Sequence, residues 1–211
     1  MIKPLGYYDY TVVLTYAGMM FSFYGIMMSI DGKFFEALFC LLIAGLCDML
    51  DGTVASTKER SVQEKRFGVQ IDSLCDLISF GIMPAVFTYM ISNCNPLVGI
   101  IASLYTLAGL IRLAYFNVLE EDRSQNHPER KRCFMGVPIT SIALLLPIAC
   151  VLRANLSMNG YELILGTLIF CSIGFLTPIE IQKPNTTGKV LLSAIGLIEA
   201  FCVFFVGRTI I

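Results

Sequence analysis

Charged side chains are scarce in this chain: Asp, Glu, Lys and Arg make up 15% of its 211 residues, against 56% hydrophobic residues and a mean hydropathy of +0.73. That balance falls outside the composition of a soluble globular domain and makes a lipid bilayer the expected solvent. Histidine is nearly absent, and the single one, His127, sits in the polar stretch EEDRSQNHPERKR, where a solvated loop residue is the ordinary reading. The eight cysteines show no close pairing. Six of them lie in apolar segments, where Cys packs as a small hydrophobe, and Cys94 and Cys133 are expected on opposite sides of the membrane. Neither a disulfide framework nor a Cys-type zinc site is indicated. No internal repeat or low-complexity segment stands out. The start, MIKPLGYYDY, lacks a small-residue cleavage site, so the first apolar segment is expected to stay in the mature protein.

Long apolar runs are what the chain does have. A membrane span needs about 20 mostly apolar residues, and seven segments qualify: 10–31, 34–57, 67–92, 96–119, 136–154, 161–179 and 189–207. The expected fold class is all-α, a polytopic transmembrane helical bundle of six to eight spans forming one membrane-embedded domain over residues 1–211. Basic residues give the orientation. With a cytoplasmic N-terminus, the inner connections hold Lys3, then Lys58, Arg60, Lys65 and Arg66, then Arg123, Arg130, Lys131 and Arg132, then Lys183 and Lys189; the outer ones hold only Lys33, Arg153 and Arg208. Both long polar loops are thus expected in the cytoplasm. The net charge of -1 says little about partners, and no nucleic-acid partner is expected.

The stretch CDMLDGTVASTKERSVQEKRFGVQIDSLCDLISFG, residues 47–81, places Asp48, Asp51, Asp72 and Asp76 inside two apolar segments. An ionised carboxylate at bilayer depth costs roughly 2.5 to 3.5 kcal/mol on insertion scales, so such acids face an interior cavity and have partners. Asp48 and Asp51, three apart, share a helix face with Gly52 and Ala55; Asp72 and Asp76, four apart, share one with Gly68. The short connection, residues 57–66, makes the two helices expected antiparallel neighbours whose small residues permit close approach. Hard divalent cations such as Mg2+ favour all-oxygen ligands and are commonly shared with substrate phosphates, and Mn2+ suits the same donors. Four carboxylates are enough for two such ions, which would offset their mutual repulsion and supply Lewis acidity for phosphoryl chemistry.

Asp48-x2-Asp51-Gly52-x2-Ala55, followed by Gly68-x3-Asp72-x3-Asp76, resembles the signature of the CDP-alcohol phosphotransferases, integral membrane enzymes that move a phosphoalcohol group from a CDP-linked donor to an acceptor hydroxyl. The resemblance covers nearly the whole chain, including VVLTYAGMMFSFYGI, FGVQIDSLCDLISFGIMPA, RLAYFNV and FMGVPITS. Within the family it is strongest to members that pass a phosphatidyl group from CDP-diacylglycerol to L-serine. It implies that Asp48, Asp51, Asp72 and Asp76 bind two divalent ions, Mg2+ or Mn2+, and that Asp76 is also the general base. It further implies a nucleotide site at Asp51, Gly52, Ala55, Gly68 and Asp72, a homodimer, and a place in the cell membrane with the active site facing the cytoplasm. Two departures are visible. Ser56 stands where the family usually has an arginine, and the interval to Gly68 is a few residues longer than the common form. Lys58 or Arg60 is the candidate to supply the missing positive charge, and nucleotide affinity is the property at stake.

Arg112 is the one basic residue placed inside a span, and a buried guanidinium seeks a bidentate anion. With Asn117 nearby, it is a candidate for the serine carboxylate or the transferred phosphate; snorkelling to the headgroups is the alternative. Arg130, Lys131 and Arg132 stand just before FMGVPIT, where Arg132 is a candidate substrate contact. Pro138, Pro147 and Pro178 are expected to bend helices around the cavity. Other acceptors within the family, glycerol 3-phosphate or an inositol phosphate, stay open at this point. So does a divalent cation transporter, although transport predicts acids spread through the depth of the bundle and often repeated halves.

Overall fold

A computed structural model of the chain describes residues 5–8, 10–126, 133–156 and 160–182, together with residues 188, 196, 198, 201 and 203. His127, Arg130, Lys131 and Arg132 lie outside the described residues, as does the expected seventh span over 189–207 apart from Gly196, Ile198, Phe201 and Val203.

After a 3-10 turn at Tyr10–Val12, the chain forms α1 (Val13–Ile30), α2 (Phe34–Ala55) and α3 (Val62–Asp76). A π-helical turn, Leu77–Ile82, joins α3 to α4 (Met83–Ile91), and α5 (Pro96–Asn126) follows. The strand β1 (Cys133–Met135) and a 3-10 turn at Ile139–Ser141 precede α6 (Ile142–Asn155), α7 (Glu162–Leu176) and β2 (Glu180–Gln182). Among the described residues, four helical runs are long and apolar enough to cross a membrane: Tyr10–Ile30, Phe34–Ala55, Val62–Ile91 and Pro96–Asp122. The 22 residues of α2 reach about 33 Å at 1.5 Å per residue, matching a hydrocarbon core of about 30 Å. Met20, Phe23, Leu97, Ile100 and Phe170 point outward and exposed, as lipid-facing residues do. The chain is an integral membrane protein built as a helical bundle.

The fifth and sixth expected spans appear as shorter apolar helices, Ile139–Ala154 and Glu162–Leu176. Proline explains where the second of them, α7, stops. Pro178 disfavours helical backbone at the residue before it, and Thr177 accordingly turns extended, with φ -79° and ψ 127°. Beyond it the chain forms a short antiparallel ribbon, pairing Cys133 with Gln182, Phe134 with Ile181 and Met135 with Glu180. Gly136 completes the joint: its φ is +77°, its N–H donates to the Ile179 carbonyl at 2.8 Å, and a Cβ there would stand 2.7 Å from the Phe175 carbonyl oxygen. The entry to α6 is thereby tied to the exit of α7.

Small residues set the packing at the site end, on a different helix pair from the one expected. In place of a close α2–α3 pair, α2 lies chiefly along α1, which also packs on α3, and α2 and α3 make few direct contacts. Gly18 and Gly25 of α1 allow this, because a Cβ on Gly18 would stand 3.2 Å from the Cys47 Cβ, and one on Gly25 would stand 3.0 Å from the Cys40 Cβ. The buried hydroxyls of Ser22 and Ser29 on this face donate to the carbonyls of Gly18 and Gly25, each at 2.9 Å, so no polar group is stranded between the helices. Carboxylates that face each other across α2 and α3 need a gap, and α1 supplies the wall that closes it.

The π turn bears directly on Asp76, the residue before it. A π turn shifts the hydrogen-bond ladder of its helix, and the carbonyl of Phe80 accepts instead from the hydroxyl of Tyr105, at 2.5 Å. Tyr105 is fully buried in the core with Phe80, Met83, Ile142 and Leu146. The backbone just after Asp76 is therefore anchored to α5.

Candidate active site

The second half of α2 carries Asp48 and Asp51, and the last turns of α3 carry Asp72 and Asp76. The i+3 and i+4 spacings do place each pair on one helix face, and the two faces meet across a narrow cleft. Asp48, Asp72 and Asp76 each present a carboxylate oxygen, and these oxygens lie within 4.8 Å of one another. Asp51 lines the same cleft, where its Oδ2 accepts a hydrogen bond from Thr15 Oγ1 at 3.0 Å. Leu14, Thr15 and Gly18 of α1 and Ser79 and Phe80 of the π turn complete the lining.

Like charges at this separation repel by on the order of 3 kcal/mol per pair at an effective dielectric of about 20. Ionised together, they require a cation. An all-oxygen, anionic donor set in a half-buried cleft is the kind that hard divalent ions occupy, so the three aspartates are able to hold a metal.

Arg112, on α5, is buried with 6% of its surface exposed, and the carboxylates acting on it are Asp76 and Asp48. Its Nε is buried and has no hydrogen-bond partner. The alternative of snorkelling to the headgroups is not what the structure shows; the guanidinium stays inside, near Asp76 and Asp48. Asn117, also expected near the substrate, accepts a hydrogen bond from Ser73 Oγ at 2.9 Å through its Oδ1, which ties α5 to α3 between Asp72 and Asp76. Of the small residues, Gly52 is exposed with no atom of the described residues within 4 Å of where a Cβ would be, so it serves no packing role among them. Gly68 faces the guanidinium of Arg60, whose Nη1 would lie 3.1 Å from a Cβ at that position. Ala55 is half-buried at the end of α2.

Sequence reasoning did not single out Thr15 or Ser73. Each is a hydroxyl in an apolar or acid-bearing helix, the only local sign available. Their partners are 36 and 44 residues away, which local periodicity does not reach.

The sequence model described as CDP-alcohol phosphatidyltransferase matches residues 11–176, a stretch that takes in α1 through α7, all four aspartates and Arg112. The chain belongs to the CDP-alcohol phosphatidyltransferase family. Among curated members, a CDP-diacylglycerol–serine O-phosphatidyltransferase of Helicobacter pylori is 30% identical over 192 residues, covering 87% of this chain and 74% of that protein. An archaetidylserine synthase of Methanothermobacter thermautotrophicus is 33% identical over 172 residues, 79% of this chain and 66% of its own length. A CDP-diacylglycerol–serine O-phosphatidyltransferase of Saccharomyces cerevisiae is 33% identical over 169 residues, 76% of this chain and 59% of that protein. The chain thus spans about two thirds of the archaeal relative and less of the yeast one. In this CDP-alcohol phosphatidyltransferase, the acidic cleft formed by α1, α2 and α3 lies wholly inside the family match.

Proposed function

We infer that the chain transfers the phosphatidyl group of CDP-diacylglycerol to the hydroxyl of L-serine and releases CMP, a step of phospholipid biosynthesis. The observation that carries this is the convergence of Asp48, Asp72 and Asp76 within 4.8 Å beside buried Arg112, in a family member whose curated relatives bear that activity in their names. When bound by these aspartates, two divalent ions, Mg2+ or Mn2+, would supply charge neutralisation at the diphosphate and at the departing phosphate.

The chain's own residues do the rest. Asp48, Asp51, Asp72 and Asp76 are the ligands, with Thr15 fixing the orientation of Asp51 through its hydrogen bond. Asp76 takes the proton of the serine hydroxyl; the serine oxygen forms a bond to the phosphorus attached to diacylglycerol, and the bond from that phosphorus to the oxygen of CMP breaks. Gly52, open to its surroundings, lets the nucleotide approach the backbone of α2, with Ala55 and Gly68 beside it and Asp51 and Asp72 at its edge. Arg112 meets the serine carboxylate or the transferred phosphate, a pairing that its unpaired Nε supports. Asn117 positions Ser73, and through it the turn of α3 that holds Asp72 and Asp76.

The site faces the cytoplasmic side of the cell membrane, a reading supported by the basic residues Lys58 on the connection and Lys65 and Arg66 at the start of α3, next to the acid-bearing end of α2. Serine then enters from water and the lipid donor sideways from the leaflet. The family resemblance carries the further reading of a homodimer and of one catalytic domain over the whole chain. Acceptors that bear a phosphate call for more cationic side chains; among the described residues Arg112 is the one buried charged group, which favours a single carboxylate.

The test is CMP release by the purified protein in lipid with CDP-diacylglycerol and Mn2+, offering L-serine, glycerol 3-phosphate and inositol phosphate in turn. Release that requires serine is expected. Release with another acceptor alone would keep the family and discard serine, and no release with any of the three would overturn the reading.

A further inference from the structure

Arg60 lies on the connection between α2 and α3, where Ser56 stands in place of the arginine that the sequence resemblance leads one to expect, and where the interval to Gly68 is longer. Both ends of that connection are fixed. Ser56 Oγ and Thr57 Oγ1 donate back to the carbonyls of Thr53 and Val54, each at 2.7 Å, and Tyr10 bonds Thr57 at 3.1 Å. Ser61 and Glu64 form a reciprocal capping box at the start of α3, with Ser61 N–H to Glu64 Oε2 at 2.7 Å and Glu64 N–H to Ser61 Oγ at 3.2 Å. The hydroxyl of Ser56 is thus committed to capping α2 and cannot take over an anion-binding role.

The neighbouring cations differ in how they are engaged. Lys58 pairs with Glu64 at 3.4 Å and Arg66 with Glu121 at 2.7 Å. Arg60 has neither kind of engagement: its Nε is buried without an acceptor, and its Nη1 lies over Gly68, 3.1 Å from where a Cβ would be. Gly68 is one turn before Asp72 on the same face of α3, so the guanidinium stands over bare backbone one helical turn from an aspartate that lines the acidic cleft. A side chain at residue 68 would push it away. A planar guanidinium with an unfilled donor, held beside a set of metal-binding carboxylates, fits a bidentate oxyanion, as in a diphosphate.

We propose that Arg60 binds the diphosphate of the nucleotide donor, supplying from the connection a positive charge that Ser56 does not carry. The assignment rests on the phosphatidyl-transfer reading above. Arg60 acts on the donor only, while Arg112, on α5, interacts with Asp76 and Asp48.

The experiment uses the full chain in lipid nanodiscs with Mn2+, as wild type, Arg60→Ala, Arg60→Lys and the double variant Arg60→Ala with Ser56→Arg. It reads KM for CDP-diacylglycerol, KM for serine, and calorimetric binding of CDP. Arg60→Ala is expected to raise the donor KM and weaken CDP binding by about tenfold or more, with the serine KM within about twofold of wild type. Arg60→Lys should recover part of the loss, and Ser56→Arg should restore most of it in the Arg60→Ala background. An active wild type whose Arg60→Ala variant keeps donor KM and CDP affinity within about twofold overturns this inference alone. So does a loss that falls equally on both substrates and that Ser56→Arg does not repair, because that marks a structural role. A wild type that binds CDP but releases no CMP with any acceptor overturns the transfer reading, and the inference with it.

Discussion

Arg112 shows what one side chain contributes and how far it was visible beforehand. A lone arginine in an apolar run marks itself in the sequence, and the structure buries it, whereas its nearness to Asp76 and Asp48 was not foretold by spacing. Its fork is the kind that fixes a carboxylate by paired hydrogen bonds, so Arg112→Ala is expected to raise the serine KM by about tenfold to a hundredfold, about 1.4 to 2.7 kcal/mol, while the donor KM changes little. Steady-state kinetics with both substrates varied will check this; equal donor and serine effects would move Arg112 to the transferred phosphate. The four aspartates were legible for a physical reason: helical periodicity converts spacings of three and four into shared faces. Thr15 was not legible, because its hydrogen bond to Asp51 joins two helices, and a threonine in an apolar span commonly bonds its own helix, as Thr88 does here to Pro84.

At the scale of elements, the long apolar helices were readable from hydropathy, whereas their partners were not. The expected α2–α3 pair gave way to α1 as the close neighbour of α2, because Gly18 and Gly25 lie on α1. The π turn after Asp76 leaves no mark in LISFGI, and the ribbon of β1 with β2 joins segments too distant for local pattern to connect. Both carry predictions. Tyr105→Phe removes the hydroxyl that donates to the Phe80 carbonyl in the core, with an expected cost of about 1 kcal/mol in stability. Since that turn adjoins Asp76, kcat should fall more than either KM; thermal unfolding in detergent and steady-state rates will test the two parts. Gly136→Ala puts a Cβ against the Phe175 carbonyl at positive φ, and should destabilise the protein by about 1 to 3 kcal/mol, read as a lowered Tm. An unchanged Tm would show that the joint between α6 and α7 yields.

For the whole molecule, the acidic cleft, the buried Arg112 and the basic connection between α2 and α3 belong to one end of the bundle, and orientation decides which pool of water that end meets. Cys94, exposed in the turn between α4 and α5, is expected on the outer side. In intact cells, a membrane-impermeant maleimide should label a variant that retains Cys94 alone; labelling only after permeabilisation would invert the orientation. The central claim is that this cleft is a divalent-metal centre for phosphatidyl transfer. Its most direct test is serine-dependent CMP release by the chelator-treated protein as Mn2+ or Mg2+ is restored, measured for wild type and Asp76→Asn. The account predicts no release without metal, recovery on its return, and a turnover in Asp76→Asn lower by about a hundredfold or more with the metal present. Release that persists without any divalent ion, or that Asp76→Asn sustains at the wild-type rate, would contradict it.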